Sequence, residues 1–281
     1  MFNLQVIAKP IRTKYWRPGD DFAKIIVDSI ASYCKDGDTI AISEKAVSVA
    51  MGLVVDESGA SPSLMAKVLA RIWMRLVWGY ILGPLCRLRR KTLLRLRWYP
   101  IPEGEAHKEI VLRYAGFGQS LLHYSEGGID VTNLPYALAA LPLPNPEEVA
   151  AMLLQAVKKA SGKEATVMIT DTDKTYSRNS THITPRPRAI PGIRSLGLFA
   201  LIVGRLRRWT ARATPLAVCG RSLTVEDALS FANAADRARG FGAGRTVWDM
   251  ARRFHVGLMD VTWEMLDRVE HYPIVIVREL K

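Results

Sequence analysis

TVMITDTDKTY, residues 166–176, is the stretch on which both the fold and the candidate site depend. Its first five residues, 166–170, are apolar or β-branched and predict a buried β-strand. The run ends on an acid, Asp171, which is followed by Thr172 and by a second acid, Asp173. An acid at the end of a buried strand is a candidate ligand for a hard cation such as Mg²⁺.

A second acid in a similar setting lies in GGIDVTN, residues 127–133. Asp130 follows a Gly-Gly-Ile run and is followed by Thr132 and Asn133. Two such acids in one cleft would bind a divalent cation together with substrate phosphates. The alternative is that Asp130 and Asp171 are ordinary turn or cap residues, since Asp is favoured there for its own hydrogen bonds.

A glycine-rich loop, RGFGAGR at residues 239–245, is a third candidate for function. The backbone N–H groups of Gly240, Gly242 and Gly244 can point at an anion, and the helix predicted after the loop presents its positive end. A plain turn between two helices would have the same composition.

Positive charge is concentrated in two segments. The chain has 281 residues, 49% of them hydrophobic, and a formal net charge of +12. Residues 71–97 contain eight Lys or Arg and no acid, and residues 186–212 contain seven Arg and no acid. Such local zones favour an anionic partner, which could be a nucleotide, a phosphorylated cofactor, nucleic acid or a lipid surface. Solvated arginines around an apolar helix or interface are the alternative.

Cysteine usage and hydropathy predict a cytoplasmic protein. Cys34, Cys86 and Cys219 form no CxxC pair, and their odd number argues against a disulfide framework. The N-terminal residues contain no signal peptide pattern. The most hydrophobic run, 76–86, is shorter than the ~20 residues that a membrane span needs, so no transmembrane segment is expected. Residues 65–98 mix Trp with Arg, which suits an oligomer interface or, alternatively, a membrane-surface helix.

Periodicity predicts a mixture of helices and strands. Helices are expected at 20–34, 145–162, 224–238 and 246–254, with caps at Asp20 or Asp21, Asn145 and Thr224. Strands are expected at 39–43, 109–114, 119–124, 166–170 and 272–277, with 109–114 and 119–124 paired as a hairpin and 177–195 as a loop. Because strands and helices do not alternate strictly, the pattern favours an α+β fold over a doubly wound sheet.

Several common enzyme classes are disfavoured because the sequence lacks their motifs. It contains no G-x-x-x-x-G-K-[ST] loop, no G-x-G-x-x-G after a strand, no H-E-x-x-H and no G-x-S-x-G. Its five histidines have no metal-ligand spacing. Kinase, Rossmann, zinc-peptidase and serine-hydrolase interpretations are therefore disfavoured.

The motifs, taken in order, resemble those of the coenzyme F-420 γ-glutamyl ligase family. GIDVTN (128–133) is similar to the family's GIDxSN, and VMITDTD (167–173) to its vIItDTfGR. DGDTIAISEKAVSVAMG (36–52) resembles dGDvlvvtsKivSkaEG. Further similarity is found in RPGDDFAKII (17–26), LPLPNPEEVA (141–150) and YPIVIVRE (272–279). The likeness is strongest over residues 17–52 and 118–176.

The resemblance implies a fold, an assembly and a reaction. The fold would be α+β, with mixed sheets and packed helices in an intertwined homodimer. Residues 1–281 would form one ligase-like unit, with one or two subdomains, an apolar and basic interface segment at 65–98 and a basic Pro/Arg-rich segment at 177–212. The reaction would be the GTP-dependent addition of L-glutamate, in amide linkage, to an anionic phosphorylated deazaflavin precursor of coenzyme F-420.

Site residues follow from the same resemblance. The family's metal positions fall on Asp130, Asp171 and Thr172, which would hold Mg²⁺ or Mn²⁺. Contacts with GTP are expected from Lys45, Ser48 and Asn133, together with the loop glycines Gly240, Gly242 and Gly244. Lys45 and Asp173 are the candidate catalytic residues, and Asp173 would orient the incoming amine or hold a second metal.

The sequence also departs from the family pattern. A second lysine expected to contact nucleotide is replaced by Val49, and an acid is replaced by Met51. After Asp171 and Thr172, the family's fGRpwR gives way to DKTY at 173–176. Two other functions therefore stay open, namely a related amide ligase with a different acceptor and a non-catalytic protein that binds anions or nucleic acid on the same fold.

Overall fold

The computed structural model describes residues 5–280. These residues contain nine strands: β1 (Val6–Thr13), β2 (Thr39–Ser43), β3 (Val54–Asp56), β4 (Leu138–Ala140), β5 (Thr166–Arg178), β6 (Thr181–Thr184), β7 (Arg194–Ser195), β8 (Thr210–Cys219) and β9 (His271–Glu279). The helices of that part are α1 (Phe22–Ile30), α2 (Glu44–Ala50), α3 (Leu64–Leu85), α4 (Arg90–Arg97), α5 (Ile101–Ala115), α6 (Phe117–Ser120), α7 (Pro146–Ser161), α8 (Leu198–Leu206), α9 (Val225–Arg239), α10 (Val247–Phe254) and α11 (Trp263–Asp267).

A seven-stranded mixed sheet forms the framework. Its strand order is β1-β9-β2-β5-β6-β7, and β8 pairs with the other edge of β5. β2 and β5 run parallel, whereas β9, β8 and β6 pair antiparallel with their neighbours β2 and β5. Such a mixed sheet with helices packed on it confirms the predicted α+β class.

Apolar side chains fill both faces of the sheet. On one face, Ile40 and Ile169 pack with Leu153 of α7 and Ile26 of α1. On the other face, Met168 and Val275 pack against α9. Because β5 is covered on both sides, its first five residues are all buried, as the unbroken apolar run predicted.

A separate core brings the two basic segments together. Met74 and Trp78 of α3, Tyr176 of β5 and Leu201 of α8 belong to one buried cluster. Residues 69–82 of α3 form a π-type helix, with a wider turn than an α-helix. Segments 71–97 and 186–212, far apart in sequence, therefore lie on the same core.

Four of the predicted helices and three of the strands are confirmed, with slightly different ends. Asp21 caps α1 by accepting a hydrogen bond from the N–H of Lys24, and Thr224 caps α9 in the same way. Gly162 ends α7 in the left-handed conformation. The predicted cap at Asn145 is wrong in one respect, because its side chain makes no capping hydrogen bond.

The predicted hairpin at 109–114 and 119–124 is wrong. The first stretch lies in α5, which begins at Ile101 with Pro102 in its first turn. The second stretch begins with the last two residues of α6 and continues as a non-regular segment. Ala106, Ile110 and Val111 have helical spacing and are buried on one side. A window that starts at residue 109 contains Ile110, Val111 and Tyr114, which favour a strand, and leaves out Ala106, so it hides this period.

The predicted loop at 177–195 is also wrong in its first half. β5 continues to Arg178 and turns through Asn179, which has a φ of +52°, into β6. The polar residues of this stretch lie in a hairpin whose other neighbour is β8.

Two further predictions concern the cysteines and the apolar run at 76–86, which lies in α3. Cys34, Cys86 and Cys219 are free thiols. By length and composition alone, α3 is the one helix of the described chain that could cross a membrane. However, its buried face packs against the rest of the protein, including β5 and α8, so it is not a free-standing span.

Candidate functional site

The acids of the 166–176 stretch lie in a gap in the sheet. The last parallel pair joins Ser43 of β2 to Thr170, and β6 begins to pair only at Tyr176. On the other side, the register with β8 shifts between Asp171 and Lys174, which marks a bulge. The prediction that these acids end a strand is therefore wrong. They lie inside a long strand, at a bulge that turns their side chains out of the regular pleat.

A buried arginine gathers three carboxylates at this gap. Arg186 is 2% exposed, and its Nη2 donates to both carboxylate oxygens of Glu44 at 2.8 and 2.9 Å. Its Nη1 lies 3.2 Å from Oδ2 of Asp171 and 3.8 Å from Oδ2 of Asp173. Because β2 ends beside the bulge, Glu44, at the start of α2, reaches the same guanidinium.

Gly128 makes room for this arginine. Its φ is +95°, and a Cβ at this position would lie 1.6 Å from Nη1 of Arg186. Only glycine fits such a position without moving the guanidinium. The second glycine of GGIDVTN is thus explained by packing against Arg186.

Asp130 is held by a different cation. Nζ of Lys45 donates to Oδ2 of Asp130 at 2.8 Å and to the carbonyl and hydroxyl of Thr132 at 2.9 and 3.0 Å. The N–H and hydroxyl of Thr132 donate to the other carboxylate oxygen of Asp130. Burial acts to raise the pKa of Asp130, but Lys45 and these hydrogen bonds outweigh it and hold the pKa below its usual value.

Asp173 has the opposite environment. Burial, and then the negative charge of Asp171, raise the pKa of Asp173 well above its usual value, although Arg186 opposes the shift. Oδ2 of Asp171 is buried and has no hydrogen-bond partner among the described residues. Arg186 thus faces three carboxylates, Glu44, Asp171 and Asp173, whereas Lys45 pairs with Asp130.

These groups fit a divalent cation that takes further ligands from a substrate. Among residues 5–280, no three His, Cys, Asp or Glu side chains are placed to hold a metal alone. Mg²⁺ commonly binds through one or two carboxylates, with phosphates and waters completing its shell. Asp130, Asp171, Thr172 and Asp173 line one cavity of about 660 Å³, and the unpartnered oxygen of Asp171 is one donor that a cation would satisfy.

Two adjoining cavities meet at this place. The larger is also lined by aromatic and basic side chains, namely Tyr99, Tyr124, Trp248, Arg89, Arg95, Arg205 and Arg245. The smaller, of about 280 Å³, is lined by Lys45, Asn133, Arg239 and the glycine loop. Thr132, Thr172, Lys174 and Arg245 line both. The acids thus line the larger cavity near the place where it meets the smaller one.

Asn133 and the glycine loop are brought together, but they bind each other. Oδ1 of Asn133 accepts from the N–H of Ala243 at 2.7 Å and of Gly244 at 3.3 Å. Its Nδ2 donates to the carbonyls of Phe241 and Gly244. A Cβ at Gly242 would lie 2.8 Å from Oδ1 of Asn133. Gly242 and Gly244 therefore have a packing role in this structure, while Gly240 and Gly242 also line the smaller cavity.

Of the remaining predicted site residues, Lys45 lies at a cavity and Ser48 does not. Lys45 lines the smaller cavity and holds Asp130. Ser48 is fully buried on α2, its hydroxyl has no hydrogen-bond partner in the described chain, and it lines neither of the two cavities. Val49 lines the smaller cavity and Met51 is exposed.

Sequence reasoning missed Glu44 and Arg186. Glu44 directly follows the predicted strand 39–43, so the rule applied to Asp171 would have identified it. Arg186 lies in TPRPRAIPG (184–192), where no local pattern distinguishes it from the other arginines of the basic segment.

Comparison with known proteins agrees with this arrangement. The F420-0:Gamma-glutamyl ligase family matches residues 10–197, which is more than half of the chain and includes every acid described above. The chain belongs to this family. Its members are amide-bond-forming ligases of coenzyme F-420 biosynthesis, which gives the chain a ligase role in that context. An uncharacterized protein of Methanocaldococcus jannaschii is 34% identical over 285 residues, covering 96% of this chain and 96% of its own. The family match ends before the glycine loop at 239–245.

Proposed function

We propose that the protein is a metal- and GTP-dependent ligase that adds L-glutamate, in amide linkage, to a phosphorylated deazaflavin precursor of coenzyme F-420. The observation that supports this proposal is that Asp130, Asp171, Thr172 and Asp173 line one cavity, which is also lined by basic side chains. Family membership supports the ligase chemistry. The proposed compartment is the cytoplasm, and the proposed assembly is a homodimer.

Mg²⁺ or Mn²⁺ would be held by Asp130, Asp171 and Thr172, and would neutralise phosphate charge during transfer. Lys45, which lines the smaller cavity beside Asp130, would contact the nucleotide there. The reaction would join the acceptor carboxylate to the γ-phosphoryl group, releasing GDP. The glutamate amine would then attack the acyl phosphate, so that an amide forms and inorganic phosphate leaves.

Asp173 would act on the amine. Burial and the charge of Asp171 raise its pKa, which makes its carboxylate a stronger base than an ordinary aspartate. It lies one residue beyond Thr172 and lines the larger cavity, so its carboxyl group would orient the incoming glutamate amine and accept its proton.

A related amide ligase with a different acceptor is the second candidate. Val49 and Met51 replace family residues, and the larger cavity is walled by residues 88–138, a region where the family's motifs cover only the last part. If the ligase reaction is kept but the acceptor differs, we expect the acids to match the family while the residues that line the larger cavity do not.

Calorimetric titration of GTP and ATP, with and without Mn²⁺, tests the shared part of both candidates. We expect GTP to bind the wild type only with metal, and Asp171→Asn to weaken that binding about tenfold or more, because a charge-assisted ligand is lost. Asp28→Asn, on the exposed side of α1, is the control and should bind as the wild type does.

Product analysis separates the candidates. Release of GDP and formation of a glutamyl amide with the phosphorylated deazaflavin would support the first. Metal-dependent GTP binding without any product from this acceptor would favour the second. Absence of binding by either nucleotide would contradict both.

A further inference from the structure

α3 carries apolar side chains on two opposite faces. Ala70, Met74 and Trp78 are fully buried in the core that α3 shares with α8 and β5. The opposite row is exposed and consists of Leu64, Val68, Ile72, Leu76, Tyr80, Ile81 and Leu85. Its members recur every four residues from Leu64 to Tyr80 and again from Ile81 to Leu85, which keeps them on one side of the helix. We call this row the open face of α3.

Aromatic side chains extend the open face. Trp98 is 78% exposed at the end of α4, directly after Arg97. Arg97 lies over the ring of Tyr80 at 4.4 Å and donates from Nε to the carbonyl of Gly79 at 3.0 Å. Trp98 is thereby attached to the same side of α3. A contiguous exposed apolar surface of this kind marks an interaction site.

The surroundings of the open face are basic and acid-free in sequence. Arg87 and Arg90 follow it, and Arg207 and Arg208 follow α8. All four are exposed and have no acid partner within the described residues. The positive charge of Arg205, at the end of α8, acts on buried Cys86 at the end of α3, which places these two helix ends beside each other.

We propose that the open face of α3, with this basic rim, docks the protein on the surface of an anionic lipid bilayer. Apolar and tryptophan side chains would enter the boundary between headgroups and acyl chains, while the arginines contact lipid phosphates. Because Met74 and Trp78 are covered by the protein itself, α3 would lie along the membrane and not cross it.

Charge favours lipid over the other candidate occupants. A twofold interface between two copies would set the same patch against itself, bringing the exposed Arg87, Arg90, Arg207 and Arg208 of each copy close together. The homodimer proposed above would therefore use another surface. Nucleic acid would satisfy the arginines but leave the exposed apolar row in water. An anionic bilayer satisfies both.

Co-sedimentation with vesicles tests this docking. We expect the wild type to bind vesicles of equal parts phosphatidylglycerol and phosphatidylcholine, to bind pure phosphatidylcholine weakly, and to be released by high salt. Ile81→Ser with Leu85→Ser, and separately Arg87→Gln with Arg90→Gln, should each weaken binding about tenfold or more. Met152→Ser on α7 and Arg237→Gln on α9, which are exposed elsewhere, are the matched controls.

Three results would overturn the proposal. The first is no binding to the anionic vesicles, or equal loss in the controls. The second is a lipid-free dimer, seen by analytical ultracentrifugation, that Ile81→Ser with Leu85→Ser converts to monomer, since a second copy would then cover the face. The third is salt-sensitive DNA binding that needs Arg87 and Arg90, without vesicle binding. Wild-type urea denaturation midpoints in the variants would show that the substitutions leave the fold intact.

Discussion

At the scale of the residue, the site depends on one buried cation. Arg186 neutralises Glu44 and Asp171 at hydrogen-bonding and ion-pair distances. Burying it is favourable only while those carboxylates remain paired, since an isolated charge in the interior is strongly disfavoured. Gly128 is the residue whose missing side chain permits the arrangement.

The substitution Gly128→Ala should therefore destabilise the folded protein. The new methyl group would collide with Nη1 of Arg186, and the φ of +95° would be strained as well. We expect a loss of about 3 kcal/mol or more in the free energy of unfolding, as when a buried ion pair is broken, measured by urea denaturation. Gly118→Ala is the control, because a Cβ there meets nothing within 4 Å and α6 gains helix propensity. Equal stability of the two variants would contradict the role given to Arg186.

At the scale of the element, sequence patterns predicted those helices and strands whose ends and buried faces are determined by residues close together in the chain. α7 with its end at Gly162, α9 with its cap at Thr224, and the apolar start of β5 were all predictable. The bulge at Asp171 was not, because it depends on where β2 ends and how β8 pairs with β5. The same holds for Asn133, whose partners in the glycine loop lie more than 100 residues away in sequence.

Asn133→Ala should loosen the glycine loop. The substitution removes two acceptor contacts to the N–H groups of Ala243 and Gly244, and it leaves alanine at a φ of +56°. Hydrogen–deuterium exchange of residues 239–245 should accelerate by about tenfold or more, because these amides lose their protection. Exchange in α7, which makes no contact with the loop through Asn133, serves as the internal reference. Unchanged exchange in the loop would show that Asn133 does not hold it.

At the scale of the whole molecule, a buried ionic network ties α5 to the chain after β3 and to the turn before Gly128. His107 of α5 contacts Glu57, after β3, and Glu126, before the Gly128 turn, at 2.7 Å each. Buried Lys108 also pairs with Glu126 and donates to the carbonyls of Ser120 and Leu122. Since both ring nitrogens of His107 face carboxylates, both donate, and the ring is a cation.

The network predicts how stability of the protein changes with pH. Burial acts to lower the pKa of His107, but Glu57 and Glu126 outweigh it and raise the pKa from 6.5 to about 10. Burial acts to raise the pKa of Glu126, but Lys108 and His107 outweigh it and lower the pKa from 4.5 to about 2. The histidine contribution is complete below pH 6.5 and is lost towards pH 10, and the glutamate contribution is complete above pH 4.5 and is lost towards pH 2.

The network should therefore contribute most to the free energy of unfolding between pH 4.5 and 6.5. Above that window, one proton is released on unfolding, so the wild type should lose up to about 1.4 kcal/mol per pH unit from this group. His107→Gln cannot bind that proton and should show a flatter alkaline slope in urea denaturation, in addition to lower stability at its optimum. His255→Gln, which alters a histidine that lines neither cavity, should keep the wild-type slope. If His107→Gln retained the wild-type slope as well, the alkaline loss of stability would come from another group, and His107 would not be the titrating cation of this network.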